Sequence, residues 1–153
     1  MNIGIIVHSH TSNTLSIAEK LKVRLLAEGN LVTLEQVTAV NEDPAAAANV
    51  ELLAIPDITG YDMLIFGAPV RAFSLSPVML LYLNQLSSLQ GKKISCFVTQ
   101  QLPFTWLGGN RSIKQMKKAV IAKNGTVNET GVVNWSSKNR EDLITDFINK
   151  LAK

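Results

Sequence analysis

At 153 residues, 46% of them apolar and 18% charged, the chain has the length of one domain burying roughly 70% of its unfolded surface, and its single Cys excludes an internal disulfide. Its apolar start lacks the cationic flank and the length of a secretion signal, and no apolar run approaches the roughly 18 residues of a membrane span, so a reduced, soluble, cytoplasmic protein is expected. The formal charge of +3 is uneven: residues 1–91 carry four Lys/Arg against eight Asp/Glu, and residues 92–153 carry eleven against four.

In chain order, Ile3–Val7 is a continuous apolar run of the kind that forms a strand covered on both faces. Leu15, Ala18, Leu21 and Leu25 recur at three- and four-residue steps and predict a helix over Asn13–Glu28. Leu31–Val37 alternates more and predicts a second strand. Thr38–Gly60 is fragmented by Pro44, Pro56 and Gly60; its Ala45–Ala48 tract offers at most a short helix, so the second crossover is expected to be abbreviated. Asp62–Ala68 predicts a third strand, and Val78–Leu89 a well-buried helix that Pro77 suits in the first turn. Ile94–Thr99 and Val127–Trp135 predict two more strands, and Cys96 within the former reads as a core residue. Between them Ile113, Met116 and Val120 stripe a helix over Arg111–Lys123. A last helix, Arg140–Ala152, carries Leu143, Phe147, Ile148 and Leu151. This alternation indicates an α/β fold with a parallel sheet and right-handed crossovers, residues 1–153 forming one domain.

Arg111, Lys114, Lys117, Lys118 and Lys123 have no acid among them. Without interleaved aromatics or a nucleic-acid-binding motif they read as a solvated helix face, and no nucleic-acid partner is expected.

In such a sheet, ligands bind beyond the carboxyl ends of the strands, where the strand order reverses. Three loops lie there. His8-Ser9-His10-Thr11-Ser12-Asn13-Thr14 crowds hydroxyls and an amide at a helix start, where free backbone amides and the macrodipole stabilise an anion. Helix capping explains one or two of these residues but not all of them. No Lys or Arg occurs before Lys20, and there is no G-x-G-x-x-G, so neither a nucleotide-triphosphate loop nor a standard dinucleotide fold fits. The second loop, Gly67–Ser74, has Pro69 to stiffen it and carries Val70, Arg71 and Phe73; Phe73 either stacks on a planar ligand or tucks into the core. The third, Gln100–Asn110, carries Phe104, Trp106 and the pair Gly108-Gly109, whose backbone can approach a ligand closely.

Ser9-x-Thr11-Ser12-Asn13-Thr14 resembles the S/T-x-T-G-x-T phosphate loop of flavodoxins, and Gly67-Ala68-Pro69 and the third loop fall where that family holds its isoalloxazine ring. The resemblance covers nearly the whole chain. It implies a flavodoxin-like five-stranded parallel sheet in the order 2-1-3-4-5 with helices on both faces. It also implies non-covalent FMN, its phosphate on Ser9, Thr11, Asn13 and Thr14, with His10 and Ser12 in the same loop. The ring would lie between Pro69, Val70, Arg71 and Phe73 on one side and Gln100, Phe104, Trp106, Gly108 and Gly109 on the other. The chain departs from the pattern in three ways. Ser12 replaces the usual Gly. The second half is basic where flavodoxins are acidic around the flavin, with Arg71 and Arg111 expected near the cleft. The second loop also looks somewhat like the G-x-P-x-R/Y-x segment of NAD(P)H:quinone oxidoreductase relatives.

The leading expectation is therefore an FMN-binding redox protein of the flavodoxin type, in which no side chain need act as acid or base. The sequence has no nucleophile elbow, and His8-x-His10 lacks the further ligands of a metal site. The alternatives are an FMN-dependent NAD(P)H oxidoreductase and a flavin-free interaction module on the same fold. Expected partners are a redox protein or NAD(P)H, with no membrane, and either a monomer or a homodimer.

Overall fold

Apolar runs become strands and striped segments become helices in the computed structural model, which describes residues 1–10, 12–43, 49–101, 104, 106 and 108–151. In chain order the elements are β1 (Asn2–Val7), α1 (Asn13–Ala27), β2 (Leu31–Gln36), β3 (Thr38–Ala39), β4 (Leu52–Ala54), β5 (Met63–Arg71), β6 (Ser74–Leu75), α2 (Pro77–Gln85), β7 (Lys93–Gln100), α3 (Gly109–Ala122), β8 (Thr126–Asn134) and α4 (Arg140–Leu151). The main sheet runs β2-β1-β5-β7-β8, and every pair along it is parallel. Numbered by its principal strands, this is the expected order 2-1-3-4-5, with the reversal between β1 and β5.

β1, β5 and β7 are apolar through most of their length because both faces are covered. On one face Ile5, Ile65 and Phe97 pack against Ile17 and Leu21 of α1 and Ile144 and Phe147 of α4. On the other, Leu64, Phe66 and Cys96 pack against Met79 and Tyr82 of α2 and Met116 and Val120 of α3. Burial pushes the Cys96 thiol up to about 12, so it is an inert core group. β2, at the edge, alternates between exposed and half-buried positions, which is why its sequence alternates too. Gly67 makes room for the Phe97 ring, which a Cβ at that position would overlap.

Beyond shifts of one or two residues at element ends, the structure departs from the sequence expectation in three places. β5 does not end at Ala68: it continues to Arg71 and doubles back through Ala72-Phe73 into β6, pairing Val70 with Leu75 and Arg71 with Ser74. Pro69 thus lies in a strand rather than in a turn. Ala72 (φ 47°) and Phe73 (φ 63°) both take the left-handed conformation that this two-residue hairpin imposes. α2 stops at Gln85 because Leu86 is extended (φ −63°, ψ 146°), although Leu86 and Leu89 stay buried. The weak second crossover contains an antiparallel ribbon, β3 against β4. The Ala45–Ala48 tract lies outside the described residues. Among those residues, no helix is long and apolar enough to cross a membrane.

Candidate functional site

The loops after β1, β5 and β7 converge on a cleft of about 140 Å³, lined by His10, Asn13, Pro69, Val70, Arg71, Thr99, Gln100 and Gln101. All but Thr99 and Gln101 are among the residues the sequence singles out. The only signal for those two is adjacency to Gln100 at the end of β7.

Among its described residues, the β1–α1 loop presents both main-chain and hydroxyl donors. Ser9 Oγ accepts from the Leu15 amide at 3.3 Å, so Ser9 caps α1. Thr14 is buried, and its Oγ1 lies 2.9 Å from Thr99 Oγ1, tying the helix start to the end of β7. The amides of Ser12, Asn13 and Thr14 have no acceptor among the described residues, and the first turn of α1 holds no acid. Such a helix start stabilises an anion. Thr11 lies outside the described residues, as do Leu102, Pro103, Thr105 and Leu107 of the third loop.

Ser12 is the N-cap of α1 at φ 69°, and its side chain makes no cap bond. A Gly is free at this φ, whereas an L side chain is strained. Ser12→Gly is therefore expected to stabilise the protein by roughly 1 kcal/mol, read as a higher denaturant midpoint with an unchanged m-value. A lower midpoint would mean that the serine side chain has a favourable role there.

The second and third loops meet through glycine. Gly108 sits at φ 111°, and a Cβ there would lie 2.7 Å from both Phe73 Cα and Val70 Cγ1. A Cβ on Gly109 would overlap the Gln100 side chain, whose Nε2 donates to the Phe104 carbonyl at 2.6 Å. Phe73 is 54% exposed rather than in the core, and Trp106 is 71% exposed. Trp106 stacks on Phe104, with ring centroids 5.5 Å apart and planes 10° from parallel. Arg71 at the hairpin tip keeps Nη2 buried without a hydrogen-bond partner among the described residues.

Behind the cleft is a polar chain that no sequence motif announces, buried at His8 and Ser76 and reaching the surface at Glu42. His8 Nδ1 lies 2.6 Å from Ser76 Oγ and His8 Nε2 lies 2.9 Å from Glu42 Oε2, while the Ala39 amide donates to Glu42 Oε1 at 2.7 Å. Burial drives the His8 ring below its ordinary pKa, against the hydrogen bond and charge of Glu42. Burial also pushes the Glu42 carboxyl up, but the Ala39 amide and the His8 ring outweigh it and hold it below its usual range. A neutral ring satisfies every contact: the Ser76 hydroxyl donates to Nδ1 and Nε2–H donates to the carboxylate. Ser, His and Glu are the residue types of a hydrolytic triad, but the ring nitrogens are reversed from that arrangement, with Nδ1 on the serine and Nε2 on the acid, and Ser76 is fully buried, its Oγ capping α2 by accepting from the Met79 amide at 3.4 Å. The chain instead joins three segments around the cleft. Among the described residues, no group of three or more His, Cys, Asp or Glu could hold a metal ion.

No family model matches the chain, and no curated protein matches its sequence. Solved structures match its fold over nearly its whole length. Oxidised Flavodoxin 2 from Bacillus cereus is 20% identical with a TM-score of 0.69, over 99% of this chain and 95% of that one. A flavoprotein from Lactobacillus acidophilus NCFM, solved in complex with FMN, is 13% identical with a TM-score of 0.66, over 95% and 97%. A point mutant of Fusobacterium nucleatum flavodoxin, bound to flavin mononucleotide, is 16% identical with a TM-score of 0.65, over 97% and 91%. At these identities the likeness is one of fold, and the fold is flavodoxin-like.

Proposed function

We propose that the protein binds FMN at the carboxyl end of its sheet and carries electrons to or from a partner protein. The observation that carries this reading is the convergence, at the reversal of strand order, of an acid-free helix start, the end of β5 and the end of β7 around one cleft. The donor set fits the cofactor. The amides of Ser12, Asn13 and Thr14 would hold its phosphate together with the Asn13 side chain. Ser9 Oγ accepts from the Leu15 amide and so keeps its O–H to donate, and Thr14 keeps its O–H if it accepts from Thr99; both hydroxyls would join the amides at the phosphate. Pro69–Arg71 and Gln100 would flank the ring, with Phe73, Phe104 and Trp106 excluding water from its rim. FMN itself supplies the electron chemistry.

Electron carriage needs no proton donor among the side chains. His8, the buried titratable ring behind the cleft, has both nitrogens engaged, which suits a carrier better than a hydride-driven reductase. The test is to titrate cofactor-free protein with FMN and with riboflavin while following flavin fluorescence. FMN is expected to bind roughly tenfold or more tightly than riboflavin, because only FMN brings the anion. Equal affinities would remove the phosphate placement, and binding of neither would end the redox reading. Anaerobic NADPH is expected to leave the bound flavin oxidised; rapid bleaching would favour the NAD(P)H oxidoreductase instead.

A further inference from the structure

The cations of this protein divide into two kinds. Every ion pair among the described residues other than His8–Glu42 involves α1 or α4: Lys20–Glu141, Arg24–Glu28, Arg140–Glu141 and Lys150–Glu129. On the opposite face of the sheet, Arg111, Lys114, Lys117 and Lys118 of α3 are all exposed, and none has a carboxylate partner among the described residues. α3 contains no acid, and neighbouring α2 carries no charge at all. Like charges crowded on one helix without neutralisation repel one another, a cost that an opposite charge from outside would relieve.

Beside those cations lies an apolar groove. Leu80 and Asn84 of α2 and Gln115, Lys118, Ala119 and Ala122 of α3 line a depression of about 320 Å³. Leu81 (38% exposed) and Ile121 (59% exposed) stand on the outer faces of the same two helices. The depression thus has an apolar floor of Leu80, Ala119 and Ala122, with Lys118 at its edge, and helical spacing places Lys114 and Arg111 on the same row as Lys118. We propose that the α2–α3 groove docks an acidic amphipathic helix of a partner protein, its apolar side chains over Leu80, Ala119 and Ala122 and its carboxylates on Lys118 and, along the same row of α3, Lys114 and Arg111. A helix laid into a groove uses this combination of apolar anchors and flanking charge. A nucleic-acid backbone would leave the apolar floor unused, so the observations favour protein over RNA.

The position of the groove matters. A single residue, Ser76, separates the hairpin strand β6 from α2, and α3 begins at the glycine pair of the third loop. The Leu75 amide donates to Gln115 Oε1 at 2.8 Å, fixing the hairpin against α3. Both helices therefore start at the cleft end of the sheet, and the groove runs along their later turns. The docking surface rests on charge and shape alone; that the docked partner exchanges electrons with the cleft rests on the flavin reading.

The experiment titrates isotope-labelled full-length protein, with and without FMN, with a short acidic peptide of Glu and Leu at helical spacing. Amide shifts are mapped, and affinity is measured by anisotropy at several salt concentrations. The expected result is shifts centred on Leu80, Asn84, Ala119 and Ala122, with affinity falling as salt rises. Lys114→Glu combined with Lys118→Glu is expected to weaken binding about tenfold or more, with folding checked by the unperturbed remainder of the spectrum. A peptide with Leu replaced by Ser is expected to bind much more weakly; if it binds equally well, the groove has no part and the proposal falls. Shifts elsewhere, no shifts, or binding of polyuridylate RNA in preference to the peptide would also overturn it. Peptide binding at the groove with no FMN binding would support this proposal while ending the flavin reading.

Discussion

Gly108→Ala is expected to destabilise the protein by roughly 3–5 kcal/mol, several times what the same change costs at Gly29. Both glycines hold positive φ, 111° and 89°, so an L residue is strained at either position. They differ in their surroundings. A Cβ at Gly29 meets nothing within 4 Å, whereas one at Gly108 comes within 2.7 Å of Phe73 Cα and Val70 Cγ1. Backbone cannot swing aside as a flexible side chain can. Strain alone gives roughly 1 kcal/mol at Gly29, and the clash adds the rest at Gly108. Because Phe73 itself holds a left-handed φ of 63°, the hairpin has little freedom to yield. Denaturant midpoints of the two variants measure the difference. Equal losses would show that the second and third loops do not press together at this point, and the cleft would lose one of its walls.

The places where the sequence and the structure part share a physical cause. The apolar pattern extends α2 to Leu89 because Leu86 and Leu89 continue it. They are indeed buried, but beyond the end of the helix, and burial does not distinguish the two conformations. The β5–β6 hairpin has no sequence mark because Ala72-Phe73 lacks the Gly or Asn typical of such turns. The turn rests instead on the β5–β6 pairing and on close packing of the Phe73 backbone against Gly108. The main sheet is legible for the opposite reason: strands such as Ile3–Val7 are buried on both faces, so their whole length reads as apolar.

The site divides in the same way. Its location follows from strand ends, which the sequence marks well. The direction each hydroxyl takes does not follow from counting hydroxyls. Ser9 turns inward to cap α1 and Thr14 turns to Thr99, contacts that depend on a partner 85 residues away in the latter case. His8, Glu42 and Ser76 are still less visible. Glu42 and Ser76 lie 34 and 68 residues from His8, and only the reversal of strand order brings their segments together. The strained Ser12 is visible in outline, since the family's glycine at that place is itself a statement about φ.

Ser76→Ala is expected to cost roughly 2–4 kcal/mol, because two dependencies fail at once. The cap on α2 is worth about 1 kcal/mol, and a buried ring nitrogen left without its donor costs roughly 1–3 kcal/mol more. Choosing the other tautomer does not help His8, since Nδ1–H would then face a methyl group. The same network sets a pH dependence. Burial holds the His8 ring below its ordinary 6.5, so the unfolded chain takes up a proton first as pH falls. Stability is thus expected to be flat above about pH 6.5 and to decline below it, as His8 protonates in the unfolded chain but not in the folded one. Glu42→Gln removes the charge that raises the ring's pKa and leaves at most a weaker neutral acceptor, so the folded ring resists protonation further and the decline continues to lower pH. Glu42 is itself held below 4.5, so its own acid-linked loss belongs to a more acidic range and leaves the comparison above about pH 5 clear. Denaturant midpoints between about pH 8 and 5, with His8 ring shifts followed by NMR, test both statements. A midpoint that rises as pH falls through about 6.5 would mean a charged imidazolium paired with Glu42, and the neutral Ser76–His8–Glu42 chain would have to be abandoned.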